Sequence, residues 1–443
     1  MRLTIIGGGG FRVPLVYRAL HAAGGVWSTA TVTLHDADPA RARVIGSVLA
    51  GLAAAGDAGD GPWPEVRQAD DLDEALRGAD FVFCAIRVGG VAGRVRDERV
   101  PLAAGVLGQE TTGAGGVLYG LRTVPVALRI AERVRAVAPG AWVVNFSNPA
   151  GMVTEAMSSV LGHRVIGICD SPLGLVRRAS RAAGVDPARV RFSYLGLNHL
   201  GWLTSLTHEG RDLLPELLAD DAALASFEEG RLFGGEWLRV LGALPNEYLH
   251  HYYFRRESLR AATEATQTRG ELLAAQQSAF YEAAAAAPER APALWENARL
   301  AREESYLAEG RAASGGWQRD AADLEGGGYE GVALAVMRAI AEDTHTRLIL
   351  NVRNGGAVPE LPPSAVIETV CETSAEGAHP VPCTTPGLAE LGLMLQVKAS
   401  ERATIEAAAT GSATAALRAL ALHPLVDSPS TAAQILHAAH QPA

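Results

Sequence analysis

Lysine is almost missing from this chain: Lys398 is the only one among 443 residues, so arginine carries nearly all of the positive charge. That bias, like the abundance of alanine, is what a GC-rich coding sequence produces. The 39 basic residues are outnumbered by 49 acidic ones, for a net charge of −10. No basic patch is dense enough for nucleic acid, and phosphate backbones repel an acidic protein. An anionic ligand would have to meet local arginines. Cysteine is also scarce. Cys84, Cys169, Cys371 and Cys383 are too few and too scattered for a disulfide framework in a chain this long, which points to a reducing compartment. No apolar run reaches about 18 residues, the length a membrane-spanning helix needs. The chain enters strand-like sequence at Arg2, leaving no room for a signal peptide. A cytoplasmic protein of two or three domains is expected.

What is present is an alternation of strand and helix signals. Residues 2–7 read as a buried strand, followed by Gly7, Gly8, Gly9 and Gly10 and a helical stretch from Val13 to Ala23. A second strand, 30–36, ends in Asp36, and a helix follows around 39–55. Stretches 79–87, 141–147 and 164–169 are nearly continuous in apolar residues, as parallel strands covered on both faces should be. This βαβ series predicts an α/β fold with an N-terminal Rossmann-type doubly wound parallel sheet over residues 1–170. Beyond about 170 the rhythm changes: a strand-like segment 190–206, helical stretches near 211–240, 270–312 and 330–343, strands 347–352 and 365–371, and a helical C-terminus. Residues 171–443 therefore read as a second α/β (α+β) domain whose helices pack on the first.

The glycine turn suits a dinucleotide. It lets the backbone approach a pyrophosphate at a helix N-terminus. Its fingerprint is imperfect, with Arg12 or Val13 where a third glycine belongs. Asp36 stands where a ribose hydroxyl acceptor would, favouring NAD over NADP; the other reading of Asp36 is a cap for the next helix. Further on, Cys169 and His199 lie in Gly-Ile-Cys-Asp-Ser-Pro (167–172) and Gly-Leu-Asn-His-Leu (196–200). Cys169 ends a parallel strand, at the sheet edge where open α/β proteins bind ligands. Each residue alone would pass as core. Together, a thiolate and an imidazole with open positions suit a divalent transition metal, with Asn198 and Asn148 placed to orient ligands or hydroxyls.

These stretches, with Ile6-Gly-Gly-Gly-Gly10, Ile86-Arg-Val-Gly-Gly90, Gly108-Gln-Glu-Thr-Thr-Gly113, Asn148-Pro-Ala150 and Pro245-Asn-Glu-Tyr-Leu249, match a family in order and separation. Over almost its full length the chain resembles the NAD- and metal-dependent glycoside hydrolases of family 4, and within them most the 6-phospho-β-glucosidases. The resemblance implies a fold like that of lactate and malate dehydrogenases. It implies NAD and a divalent metal, foremost Mn²⁺, as cofactors, and a phosphorylated disaccharide or glucoside as substrate. It also implies a homodimer or homotetramer.

The implied chemistry is unusual for a glycosidase. The sugar is oxidised at C3, deprotonated at C2, opened by elimination, hydrated and re-reduced. The resemblance makes Cys169 and His199 the metal ligands, Tyr248 the base, Glu110 its partner as proton acceptor and Asp170 the acid for the leaving oxygen. Without it, Tyr248 could not be told from Tyr252 or Tyr253. Arg94, Asn148 and Arg269 match substrate-binding positions, with Arg87 a less certain fourth. One departure concerns the anomer: Cys169-Asp170 is the pairing more typical of α-linked than of β-linked phosphoglucosidases in this family. The alternatives are a member acting on α-linked 6-phosphoglucosides, α-galactosides or galacturonides, and a lactate/malate-like dehydrogenase, which would not need the Cys169/His199 pair. A non-catalytic NAD sensor would leave that pair and Tyr248 without a purpose.

Overall fold

The computed structural model describes residues 1–56, 61–304, 311, 316, 328–383 and 386–441. Six parallel strands form its N-terminal half: β1 (Arg2–Ile6), β2 (Thr31–His35), β3 (Glu65–Gln68), β4 (Phe81–Cys84), β5 (Trp142–Asn145) and β6 (Val165–Gly167). Their spatial order is β3-β2-β1-β4-β5-β6, the Rossmann order. The apolar runs of the sequence alternate between two cores, as period-2 strands must. Leu3, Ile5, Phe81 and Phe83 enter one, while Ile6, Val82 and Cys84 enter the other. The second core is closed by helix Gly113–Val137 and by Val153 and Met157 of helix Ala150–Leu161. The first is closed partly from the distant half of the chain, by Trp295 and by Val332, Val336 and Met337 of helix Tyr329–Glu342.

The halves are also joined through the sheet. Strand β11 (Thr346–Arg353) pairs antiparallel with β6 at Asn351 and Gly167. The path then runs through β12 (Val366–Ser374), β7 (Arg191–Leu197), β8 (Leu200–His208) and β10 (Leu244–Pro245), all antiparallel. With β9 (Arg211–Asp212) on β8 and β13 (Gly377–Pro380) on β12, one sheet has 13 strands. Helix Leu388–Thr410, the first of three at the C-terminal end of the described residues, packs on helix Gly113–Val137.

Several sequence expectations are corrected. The segment 190–206 is not one strand but a hairpin, with Leu197 paired to Leu200 around a two-residue turn, Asn198-His199. The stretch 211–240 opens with a strand and then breaks into four short helices, at 214–219, 221–225, 228–233 and 235–241. Pro215, the capping carboxylate of Asp220 and Gly234 (φ 76°) interrupt it. As far as residue 304 the stretch 270–312 is two helices, Arg269–Ala286 and Ala291–Glu304, divided at Pro288; 305–310 and 312 lie outside the described residues. Strand β3 was not expected: only Val66 of its four residues is apolar, because it forms the sheet's edge.

Candidate active site

The glycine loop is clamped between two strand ends. A Cβ on Gly7 would lie 2.5 Å from the Ala85 carbonyl oxygen, and one on Gly8 would lie 2.9 Å from the Leu34 backbone. Only glycine fits so close an approach. The loop's own amides are engaged: Gly7 and Gly8 donate to the His35 carbonyl, Gly9 to Asp36 Oδ2 at 2.9 Å, and Gly10 to the Gly7 carbonyl. Asp36 is therefore a tether between β2 and the loop. It is not the cap of the next helix, since Asp38 accepts from Ala40 and Arg41 there. Three aromatic side chains from the second half fasten the loop's carbonyls: Tyr281 to Gly9 (2.6 Å), Trp295 to Phe11 (2.8 Å) and Tyr329 to Arg12 (2.7 Å).

A cavity of about 810 Å³ opens beyond this loop. It brings together Glu110, Cys169, Asp170, His199 and Tyr248, and with them Arg94, Asn148, Arg269 and Arg87. Gly10 faces it with Phe11, Arg12 and Val13, where helix Val13–Ala23 begins. Gly7, Gly8, Gly9 and Asp36 do not line it.

Cys169 and Asp170 follow β6, and Asp170 precedes the helix Ser171–Ala182. His199 occupies the hairpin turn at φ 62°, left-handed backbone that costs a non-glycine residue about 1 kcal/mol. Its Nδ1 pairs with Thr111 Oγ1 at 2.8 Å, which leaves Nε2 as the nitrogen for a ligand. Burial depresses the imidazole to about 4, against the charges of Asp170 and Glu110, so the ring is neutral near pH 7. The Cys169 thiol is pushed well up by burial, with Glu368 and Asp170 adding to it. Among the described residues no third His, Cys, Asp or Glu joins the pair in metal-binding geometry. The Asn148 Oδ1 is buried without a hydrogen-bond partner.

Tyr248 sits in the turn Glu247–Leu249, whose first free amide is capped by Asn246 Oδ1 at 3.1 Å. Beside it, Glu247 is buried and accepts from Ser171 Oγ at 2.5 Å; burial, reinforced by Glu229, pushes it up to about 7. Opposite lies an arginine cluster. Glu110 pairs with Arg87 and, at 2.5 Å, with Arg94, which also bonds Glu98 at 2.8 Å. Burial raises the Glu110 carboxyl, but the two arginines outweigh it and hold the group at about 2. Arg302 is pulled down by burial and by its neighbours Arg12, Arg87, Arg269 and Arg94. A phosphate entering here would compete with Glu110 for guanidinium groups.

Sequence reasoning did not find Thr111, Glu247, Arg12 or Arg302 as parts of this site, nor Glu368, which lies behind it and accepts from the lining residue Asn198. Thr111 and Glu247 lie inside quoted motifs. Glu368 carries its own signal, a lone acid in the apolar strand Val366-Ile-Glu-Thr-Val-Cys371.

Comparison with known proteins decides the family. The model described as "Family 4 glycosyl hydrolase" matches residues 2–185, and that of the "Family 4 glycosyl hydrolase C-terminal domain" matches 194–426. The chain belongs to glycosyl hydrolase family 4. It is thus an enzyme of glycoside cleavage, not a dehydrogenase alone. A family relative, the probable 6-phospho-beta-glucosidase of Bacillus subtilis, is 34% identical over 379 residues, covering 83% of this chain and 79% of that protein. A 6-phospho-alpha-glucosidase from gut microorganisms, solved with NAD and Mn²⁺, superposes with a TM-score of 0.78 at 26% identity over 99% of this chain and 97% of that one. The Thermotoga maritima 6-phospho-beta glucosidase, solved with NAD and glucose-6-phosphate, gives 0.81 at 25% identity, with the same coverage.

Proposed function

We propose that this chain cleaves 6-phospho-β-glucosides with NAD⁺ and a divalent metal, foremost Mn²⁺, by oxidation at C3, deprotonation at C2, elimination, water addition and re-reduction, so that NAD⁺ is not consumed. The observation that carries the reading is the convergence of Cys169, His199, Tyr248 and Asp170 with an arginine cluster in one cavity beside the glycine loop. The residues fit the cofactors. The His199 Nε2 is left for a metal by the Thr111 bond, the Asn148 Oδ1 is an orphaned buried acceptor, and Gly10 with the start of helix Val13–Ala23 faces the cavity, where a pyrophosphate would meet a helix N-terminus.

When bound, NAD⁺ supplies a hydride acceptor for C3 and the metal a Lewis acid for the ketone so formed. Tyr248 then removes the C2 proton, made acidic by that ketone, with Glu110 as its partner. Asp170 protonates the departing glycosidic oxygen. Arg94, Asn148 and Arg269, with Arg87, hold the sugar and its phosphate. The relatives named above act on phosphoglucosides of both anomers, and Asp170 favours a second reading, α-linked 6-phosphoglucosides. Residues 1–170 serve NAD and also supply Arg87, Arg94, Glu110, Asn148, Cys169 and Asp170 to the substrate and metal, residues 171–443 supply His199, Tyr248 and Arg269, and the second segment serves assembly into a homodimer or homotetramer in the cytoplasm. No helix among the described residues is long and apolar enough to cross a membrane.

Hydrolysis in D₂O tests the chemistry. Deuterium at C2 of the released sugar phosphate is expected, because C2 is deprotonated and reprotonated. Cleavage with C2 wholly protiated would overturn the reading.

A further inference from the structure

Two of the arginines proposed for the substrate stand on different helices. Arg94 lies on helix Gly90–Ala103, and Arg269 opens helix Arg269–Ala286. One buried carboxylate joins them. Glu98, 3% exposed, stands one turn after Arg94 and accepts Arg94 Nε on Oε1 at 2.8 Å. Its Oε2 accepts the Gly270 amide at 2.7 Å. That amide is one of the first-turn N–H groups that an α-helix leaves without an internal partner. The helix's own capping box, Thr268 with Glu271, does not serve it. The two helices approach closely there: a Cβ on Gly270 would lie 2.7 Å from Glu98 Oε2 and 3.1 Å from the Val95 amide nitrogen.

We propose that Glu98 is the positioning residue of the phosphate pocket, holding Arg94 and Arg269 at the separation that a 6-phosphate bridges. The assignment rests on the function proposed above, in which both arginines meet the substrate. Glu98 occupies Nε, so the two Nη groups of Arg94 form the edge presented to the cavity that Arg94 lines. Glu110 holds that edge at Nη1, at 2.5 Å, where a phosphate would compete with it. Glu98 is tied to backbone as well as to a guanidinium, so it stays when Glu110 yields. Arg302 is pulled down by burial first and then by neighbours that include both arginines, so the two face one centre.

Glu98→Gln keeps the shape but leaves an amide whose NH₂ end cannot accept, so one of the two ties breaks. Loss of a carboxylate alone would make the pocket more positive and tighten phosphate binding. Lost alignment weakens it, so the direction of the change decides between the two. Two constants are read on the enzyme loaded with NAD⁺ and Mn²⁺: KM for the nitrophenyl 6-phosphoglucoside that it cleaves, and the inhibition constant of inorganic phosphate. Both should rise by about tenfold in Glu98→Gln, the order of one hydrogen bond to a charged group, while kcat changes by less than about threefold. Gly270→Ala disturbs the same contact without altering charge and should shift both constants the same way. Arg99→Ala is the control for helix docking. Arg99 is partly exposed and bonds Glu271 across the same two helices, with Nε at 2.8 Å. Its loss should leave both constants within about twofold of wild type.

Unchanged or tightened constants in Glu98→Gln would overturn the assignment, as would a fall in kcat alone. An equal loss in Arg99→Ala would overturn it too, because general docking of the helices would then suffice. If Glu98→Gln does not fold, Gly270→Ala decides: raised constants support the assignment and unchanged ones overturn it. A wild-type enzyme that cleaves glucosides equally well without the 6-phosphate would instead contradict the reading of the pocket, and this assignment with it.

Discussion

The ring of Tyr248 lies flat on the ring of His199, with centroids 3.7 Å apart and planes inclined by 10°. The proposed base is thereby fixed against a proposed metal ligand, although the two are 49 positions apart in the chain. A tyrosine phenol in water loses its proton only near pH 10, roughly. It needs a nearby cation to act as a base near neutrality, and the stack holds it against the ring that would carry the metal.

Tyr248→Phe keeps the stacked ring and removes only the hydroxyl. NAD⁺ and Mn²⁺ affinities should stay at wild-type levels while glycoside cleavage falls by about 10²–10⁴, the usual worth of a general base. Steady-state turnover with parallel binding titrations checks this. Full activity would remove Tyr248 from the role.

Thr111→Val removes the partner of His199 Nδ1. The imidazole loses its fixed orientation and tautomer. Mn²⁺ affinity should drop by about 10–100-fold with NAD⁺ binding unaffected. Titration of both cofactors separates this from general damage to the fold.

Stability should depend on acid through Glu110. Burial alone would raise its carboxyl, but Arg87 and Arg94 outweigh that effect and set the folded pKa at about 2, below the ordinary carboxylate value. The stabilisation is present above about pH 4.5 and is lost as pH falls toward 2. It is on the order of 3 kcal/mol, discounted for the strong coupling of the three groups. The melting temperature of Glu110→Gln should therefore lie below that of the wild type near pH 7, and the gap should narrow from pH 4.5 to 3. A gap that widens in acid would contradict the ion-pair account.

Most of the Rossmann half was legible because β1, β4, β5 and β6 are buried on both faces and read as nearly unbroken apolar runs, whereas the polar edge strand β3 was not. The places of Asp36 and the glycine loop at the ends of β2 and β1 were legible through spacing, but the bond from Gly9 to Asp36 was not. The hairpin holding His199 was not, because its turn is Asn-His, without the glycine that marks most two-residue turns. The aromatic bonds from Tyr281, Trp295 and Tyr329 onto the loop join positions some 270–320 apart, and no local pattern encodes such contacts. The roles of Tyr248 and Glu110 came from resemblance. Periodicity shows where a side chain lies, not what it does.

The most direct test of the central claim is release of nitrophenol from α- and β-glucosides, each with and without a 6-phosphate, with NAD⁺ and Mn²⁺ present or omitted. The account predicts cleavage of the 6-phospho-β-glucoside only when both cofactors are supplied. Cleavage that proceeds after both have been stripped from the protein would contradict it.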